Sequence, residues 1–239
     1  MLALAVVTFV VLRFLSAPFG RHVREGWGPT IPNRVGWVAM EAPASLAFAA
    51  FYLRGAHRFD AAPLALALLW QVHYVHRAFV FPFRVRTDGK RMPLLVAALA
   101  FAFNVFNAWL NATWVSSLAP LDAAWLLDPR FALGVVVFAW GMSVNVRSDR
   151  ALIALRAPGE TGYRIPRGPL FRLVSAPNYA GEIVEWLGFA LAAWSPAGLA
   201  FAVYTAANLV PRALDTHRWY HERFADYPAE RKAIVPFVL

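Results

Sequence analysis

Seven apolar stretches, at residues 2–17, 35–53, 61–81, 94–118, 131–146, 183–194 and 196–210, divide a chain of 239 residues and leave its charges crowded between them. A chain built this way has few options, because apolar segments of this length either cross a bilayer or form one very large core. Composition decides between the two. Hydrophobic residues make up 59% of the chain and charged residues 15%, whereas soluble domains carry about 25% charged residues. The reading is an all-α integral membrane protein. Crossing the hydrocarbon layer takes roughly 20 helical residues, so the sixth stretch has to begin earlier, near Asn178. It then carries Glu182 and Glu185 of "APNYAGEIVEW" into or beside the membrane.

The cations give the topology. The first, third and fifth connections and the closing segment hold eighteen Lys and Arg residues, Arg21 and Arg24 among them, and the even connections hold three, Arg54, Arg58 and Arg130. This bias predicts seven transmembrane helices with the N-terminus outside and the C-terminus cytoplasmic. The first stretch is short and contains Arg13, but no small-residue cleavage site of the Ala-x-Ala type follows it closely, so it reads as a span rather than a signal peptide. No repeat or linker interrupts the chain. The expectation is one membrane domain over 1–239, with a long loop from Arg147 to Pro177. The Ala-rich and Arg-rich bias points to a bacterial inner membrane, or to the endoplasmic reticulum in a eukaryote.

Ionisable and amide side chains at membrane depth are costly and by default mark a cavity or a partner. Glu41 lies inside the second stretch. The third carries "QVHYVHR", which puts Tyr74 and Arg77 on one helical face and His73 and His76 on another. Asn104, Asn107 and Asn111 form a stripe on the fourth, and Asn145 and Asp149 stand four apart at the end of the fifth. Each has a plainer reading: Glu41 paired with Arg77 or Arg13, and the asparagines hydrogen-bonding between helices. With no cysteine and six scattered histidines, His22, His57, His73, His76, His217 and His221, the chain lacks a thiolate site. His217 and His221, four apart, have no carboxylate cluster to complete a ligand set, and no metal is expected.

The long loop carries six arginines among Gly-rich turns, tyrosines and amides. Forked guanidinium groups match phosphate oxygens, while plain positive-inside charge would explain the arginines alone. Asn145, Asp149, Tyr163, Asn178, Tyr179 and Glu182 suit ribose hydroxyls, an amide or an adenine edge, which tilts the reading to a nucleotide. No strand precedes a GxGxxG motif, so a Rossmann site is excluded. Nothing calls for a nucleic acid, and oligomeric state is open.

"NVRSDRALIALRAPGETGYRIPRGPLFRLVSAPNYAGEIVEW" and "HRWYHERFADYPAERKAIVPFVL", dense over residues 145–239, resemble the steroid 5α-reductase family, which includes polyprenol and enoyl-CoA reductase relatives. "WVAMEAP" and "HYVHRAFVFP" are similar to its second and third helices. The resemblance implies a seven-helix membrane fold in which NADPH donates hydride to the C4–C5 double bond of a 3-oxo-Δ4-steroid. It places Glu41 and Tyr74 at the substrate ketone. Cofactor contacts fall on Trp37, Arg77, Asn145, Asp149, Arg156, Tyr163, Arg164, Asn178, Tyr179, Glu182 and Tyr220, with a phosphate ligand at Lys90 or Arg91. The substrate pocket is then expected mainly from residues 1–120 and the NADPH site mainly from 145–239, the apolar enone entering from the bilayer. Two departures stand out: Met40 occupies a position that is often Gln, and Thr216 one that is sometimes His, leaving His217 as its substitute.

The alternatives are a sterol or polyprenol-type enone reductase, a membrane methyltransferase of the isoprenylcysteine type, and a transporter. S-adenosylmethionine carries no phosphate to use the arginines, and a transporter would concentrate its polar groups near mid-membrane in interrupted helices.

Overall fold

A computed structural model of the chain describes residues 1–16, 26–87, 89–119, 121–157, 160 and 162–239; Arg21, His22 and Arg24 lie outside the described residues. After α1 (Leu2–Phe14), proline opens the long helices. α2 (Asn33–Tyr52) follows Pro32, α5 (Leu94–Thr113) follows Pro93, and α6 (Pro129–Ala154), α7 (Pro177–Ala193) and α8 (Pro196–Arg223) each start on one. A first turn has no use for the missing N–H, and the fixed φ is already helical. Between α2 and α5 run α3 (Ala61–Val75), a π-helical turn (His76–Val80) and α4 (Phe81–Arg84); a second π turn (Trp114–Leu118) extends α5.

Among the described residues, four helical segments are long and apolar enough to cross a membrane: Asn33–Tyr52, Ala61–Arg84, Leu94–Leu118 and Pro129–Ala154. They match the second to fifth apolar stretches. The other three stretches correspond to α1, α7 and α8. At 1.5 Å per residue the 13 residues of α1 reach about 20 Å, less than the roughly 30 Å hydrocarbon layer. α7 begins at Pro177, where the length argument required a start. The chain is mostly helical, with one addition that the apolar pattern does not announce: β1 (Thr30–Pro32) pairs antiparallel with β2 (Arg91–Pro93), Ile31 opposite Met92.

The chain divides into two compact units. One comprises Met1–Ser16, Val136–Gly188 and Ala200–Leu239, the other Ala17–Val135 and Phe189–Leu199. In the second unit, side-chain donors grip the backbone of α2. Trp70 Nε1 donates to Ala44 O at 2.7 Å, Gln71 Nε2 to Ser45 O at 3.0 Å, and Asn104 Nδ2 to Met40 O at 2.6 Å. Phe48 stacks on Trp70 with ring centroids 4.7 Å apart. At one end Asp128 binds Arg130 through both oxygens, at 2.9 and 2.8 Å, and those hydrogen bonds hold its carboxyl down to about 2.

In the first unit, α6 and α7 touch through glycines. A Cβ added at Gly181 would sit 2.6 Å from the backbone nitrogen of Asn145, and one at Gly141 would collide with the backbone nitrogen of Glu185. Small residues permit this approach, as in helix pairs within membranes. Phe138 and Phe201 close on Trp186 at 6.3 and 4.5 Å. The closing segment is sewn to the strand-like stretch before α7: Val174 bridges Lys232 in parallel, and Ser175 and Ala176 donate their N–H to Lys232 O and Ala233 O.

Candidate functional site

In the second unit the functional candidates collect where α2, α3 and the first π turn meet. Tyr74, in the last turn of α3, is almost fully buried at 3% exposure. Its ring lies 5.0 Å from Trp70 and 4.8 Å from His73. The π turn that follows inserts an extra residue into the helical ladder, a distortion common at functional sites, and sets the direction of Arg77. That guanidinium sits over Trp37 at 5.0 Å and Phe81 at 4.6 Å, with its Nε 3.9 Å from Glu41 Oε1. Glu41 Oε2 also lies 3.5 Å from Asn104 Nδ2. The structure thus brings Trp37, Glu41 and Arg77 into direct contact. It places Met40 in an apolar cluster with Met92 and Ala97, so a residue that is polar in the resembling pattern is here part of the core.

Lys90 and Arg91 lie at the ribbon. Lys90 closes a turn, its N–H donating to Thr87 O and its carbonyl accepting from the N–H of Asn33. Arg91 turns back on Thr30, donating from Nε to Oγ1 at 2.8 Å and from Nη2 to the carbonyl at 2.6 Å. The guanidinium is engaged in holding β1 to β2.

In the first unit the close crossing of α6 and α7 sets two polar ladders face to face. Asn145 Nδ2 donates to Asn178 O at 3.0 Å and to Glu182 Oε2 at 3.3 Å, and Asn178 Nδ2 donates to Asp149 Oδ1 at 3.0 Å. Four candidates spaced four apart on two helices therefore form one hydrogen-bonded group, with Asn145 and Asp149 buried. Tyr179 accepts from Arg212 Nη2 at 3.3 Å. Arg156 lies over Tyr163 at 5.7 Å, and Tyr163 meets Trp219 edge to face at 4.9 Å. Arg164 stands apart from the ladder, at the surface, paired with Glu160 at 2.9 Å. Glu185, one turn beyond Glu182, is fully buried.

His217 and Tyr220 belong to a further cluster. Ser175 Oγ lies 2.7 Å from His217 Nδ1 and 2.7 Å from the Tyr227 hydroxyl. Tyr220 stacks on Tyr227 at 5.0 Å, nearly parallel. His217 lies in α8 beyond the apolar stretch, and burial, with His221 and Lys232 nearby, lowers its pKa. A neutral ring can accept at Nδ1 from the Ser175 hydroxyl, which in turn accepts from Tyr227. The sequence reading passed over Ser175, Tyr227 and Arg212. Arg212 and Tyr220 are eight apart on α8, one face of the helix, which was the available signal; Ser175 had none, since its partners are 42 and 52 residues away.

Residues 90–239 match the family model described as 3-oxo-5-alpha-steroid 4-dehydrogenase. The chain is 45% identical over 242 residues to 3-oxo-5-alpha-steroid 4-dehydrogenase 1 of Bos taurus, covering 99% of this chain and 93% of the relative. It is 44% identical over 239 residues to the steroid 5-alpha-reductase DET2 of Arabidopsis thaliana, covering 97% and 91%. The human 3-oxo-5-alpha-steroid 4-dehydrogenase 1 is 41% identical over 238 residues, covering 99% and 92%.

Proposed function

We propose, because this chain belongs to the 3-oxo-5-alpha-steroid 4-dehydrogenase family, that it is a membrane oxidoreductase reducing the C4–C5 double bond of 3-oxo-Δ4-steroids with NADPH. The observation that carries this reading is likeness of 41 to 45% over nearly the whole chain to relatives named for that activity. It is the leading reading of the sequence, and the relatives' names weigh against the methyltransferase.

The residues of the first unit fit such a cofactor. The Asn145, Asp149, Asn178 and Glu182 group offers amide donors and carboxylate acceptors for ribose hydroxyls and a carboxamide; Tyr179, next to Asn178 on α7, and Tyr220, in the cluster with Tyr227, are the aromatic candidates. Arg156 and Arg164 are the candidates for the 2′-phosphate, and Tyr163 for the adenine side. Trp37, Arg77, Lys90, Arg91 and His217 complete the assignment. NADPH, when bound, supplies the hydride.

The rest of the chemistry falls to the chain. Addition at the β-carbon of an enone puts negative charge on the carbonyl oxygen, and a donor aimed at that oxygen in a dry site lowers the barrier. Tyr74, buried among aromatic rings, can donate its hydroxyl proton. Glu41 can donate only when it carries a proton; its carboxyl is held by Arg77 and Asn104, so its orientation is fixed by the same residues that would stabilise its charge. We assign seven spans, a C-terminus in the cytoplasm, and substrate entry from the bilayer. The apolar setting of Met40 favours keeping a sterol or polyprenol-type enone as the second substrate reading.

The deciding experiment is NADPH consumption by the purified protein in detergent with a panel of 3-oxo-Δ4-steroids and other enones, followed by product analysis. A 5α-reduced 3-oxo-steroid is the expected product. Turnover confined to non-steroidal enones would move the assignment to the second reading.

A further inference from the structure

Residues 234–239 of the first unit, "IVPFVL", are apolar throughout. Ile234 is buried, packed in a cluster with Ala176 and Ala213 against Tyr179, Ala180 and Ile183 of α7 and Val210 of α8. Ile183 and Val210 lie within the sixth and seventh apolar stretches. The next residues are apolar and turned outward: Phe237 is 79% exposed and Val238 77%. This outward turn is fixed. Leu239 O accepts from the N–H groups of Ile234 and Val235, both at 2.7 Å, and Phe237 is held at φ 65, a region that bulky residues occupy only when surrounding contacts dictate it. Lys232, exposed, precedes the turn.

We propose that this turn is a membrane-dipping loop, with Phe237 and Val238 seated in the headgroup and acyl boundary of the bilayer that α7 and α8 cross. Two features select lipid as the occupant. Ile234 packs against Ile183 of α7 and Val210 of α8, the residues that bound the apolar stretches of those helices, so the turn leaves the protein at the edge of the apolar zone. Lys232, exposed two residues before Ile234, supplies the cation that accompanies apolar residues at a membrane interface. Lone exposed aromatics need no explanation, but a strained turn that presents two apolar side chains beside membrane-level residues does. The inference rests on the reading that α8 spans the membrane, and a separate probe tests that reading.

The chain has no cysteine, so single cysteines introduced as Val238→Cys, Val203→Cys in the apolar part of α8 and Glu230→Cys on the exposed surface can each carry one environment-sensitive fluorophore. In nanodiscs, quenching is measured with a lipid carrying a nitroxide high on its acyl chain and with aqueous iodide. The expected result is a Val238 label quenched several-fold more by the lipid nitroxide than the Glu230 label, and shielded from iodide. Equal behaviour of the Val238 and Glu230 labels overturns the proposal. Shielding that appears only in discs holding two copies also overturns it, with a second copy as the occupant. Failure of the lipid nitroxide to reach the Val203 label removes the spanning reading of α8 instead. None of these measurements depends on catalysis.

Discussion

The proposal that Tyr74 and Glu41 act on one substrate oxygen is decided by single side chains. Removing one oxyanion donor costs about 100 to 1,000-fold in rate, so Tyr74→Phe should slow single-turnover oxidation of bound NADPH by an enone by that order and leave NADPH affinity nearly unchanged. Glu41→Gln retains a donor and should exceed Glu41→Ala; the double variant with Tyr74→Phe should lose less than the product of the single losses. Near-normal hydride transfer in Tyr74→Phe and Glu41→Ala returns Glu41 to a structural pairing with Arg77. His217 gives a second test at this scale. Its pKa is lowered in the fold by burial, with His221 and Lys232 adding to the effect, so the unfolded chain takes up the proton first as pH falls. Thermal stability should therefore be flat above the ordinary histidine value of about 6.5 and decline as the pH drops below it; His217→Gln should flatten that decline in a melting series in detergent. Sequence spacing alone put Tyr74 with Arg77 and Asn145 with Asp149, because i+3 and i+4 are local facts. It could not show Arg91 turned onto Thr30, since that bond joins residues 61 apart.

Among the elements, the crossing of α6 and α7 matters most to the candidate cofactor site. With Gly181 almost touching the Asn145 backbone, Gly181→Ala must push the helices apart and pull Asn145 from Glu182 and Asn178. Overpacking of this kind costs about 1 to 3 kcal/mol, and the expected outcome is a lower melting temperature together with weakened NADPH binding measured by fluorescence titration. A change in neither would show that the ladder tolerates separation. Helices were the legible part of this fold: apolar stretches gave their middles, while the prolines that open them went unread. The ribbon of β1 and β2 was not legible, because three-residue strands rich in proline carry no alternation, and their pairing is set by where α2 and α5 bring the chain.

At the scale of the whole molecule, the charge distribution makes two demands. A reporter fused at the C-terminus should lie in the cytoplasm and one at the N-terminus outside; finding both on the same side would mean a miscounted span, with the 13 residues of α1 the first suspect. The arginine-rich loop should also favour NADPH over NADH. One charge-assisted hydrogen bond to the 2′-phosphate contributes about 1.5 to 3 kcal/mol, so turnover at sub-saturating cofactor should differ by about tenfold or more, and Arg156→Ala should shrink the difference. Equal use of both cofactors would remove the phosphate role of Arg156 and Arg164. The grip on α2 carries a consequence for how this scaffold can drift. Trp70, Gln71 and Asn104 donate to carbonyls of Ala44, Ser45 and Met40, and a carbonyl is present whatever residue occupies the position. The specificity of the Trp70 and Asn104 contacts is therefore written on one side only: in a deep mutational scan those donors should be intolerant, while Met40, packed against Met92 and Ala97, should accept apolar residues of similar size. A residue adjoining Glu41 can thereby vary in apolar shape without losing the hydrogen bond that holds its backbone.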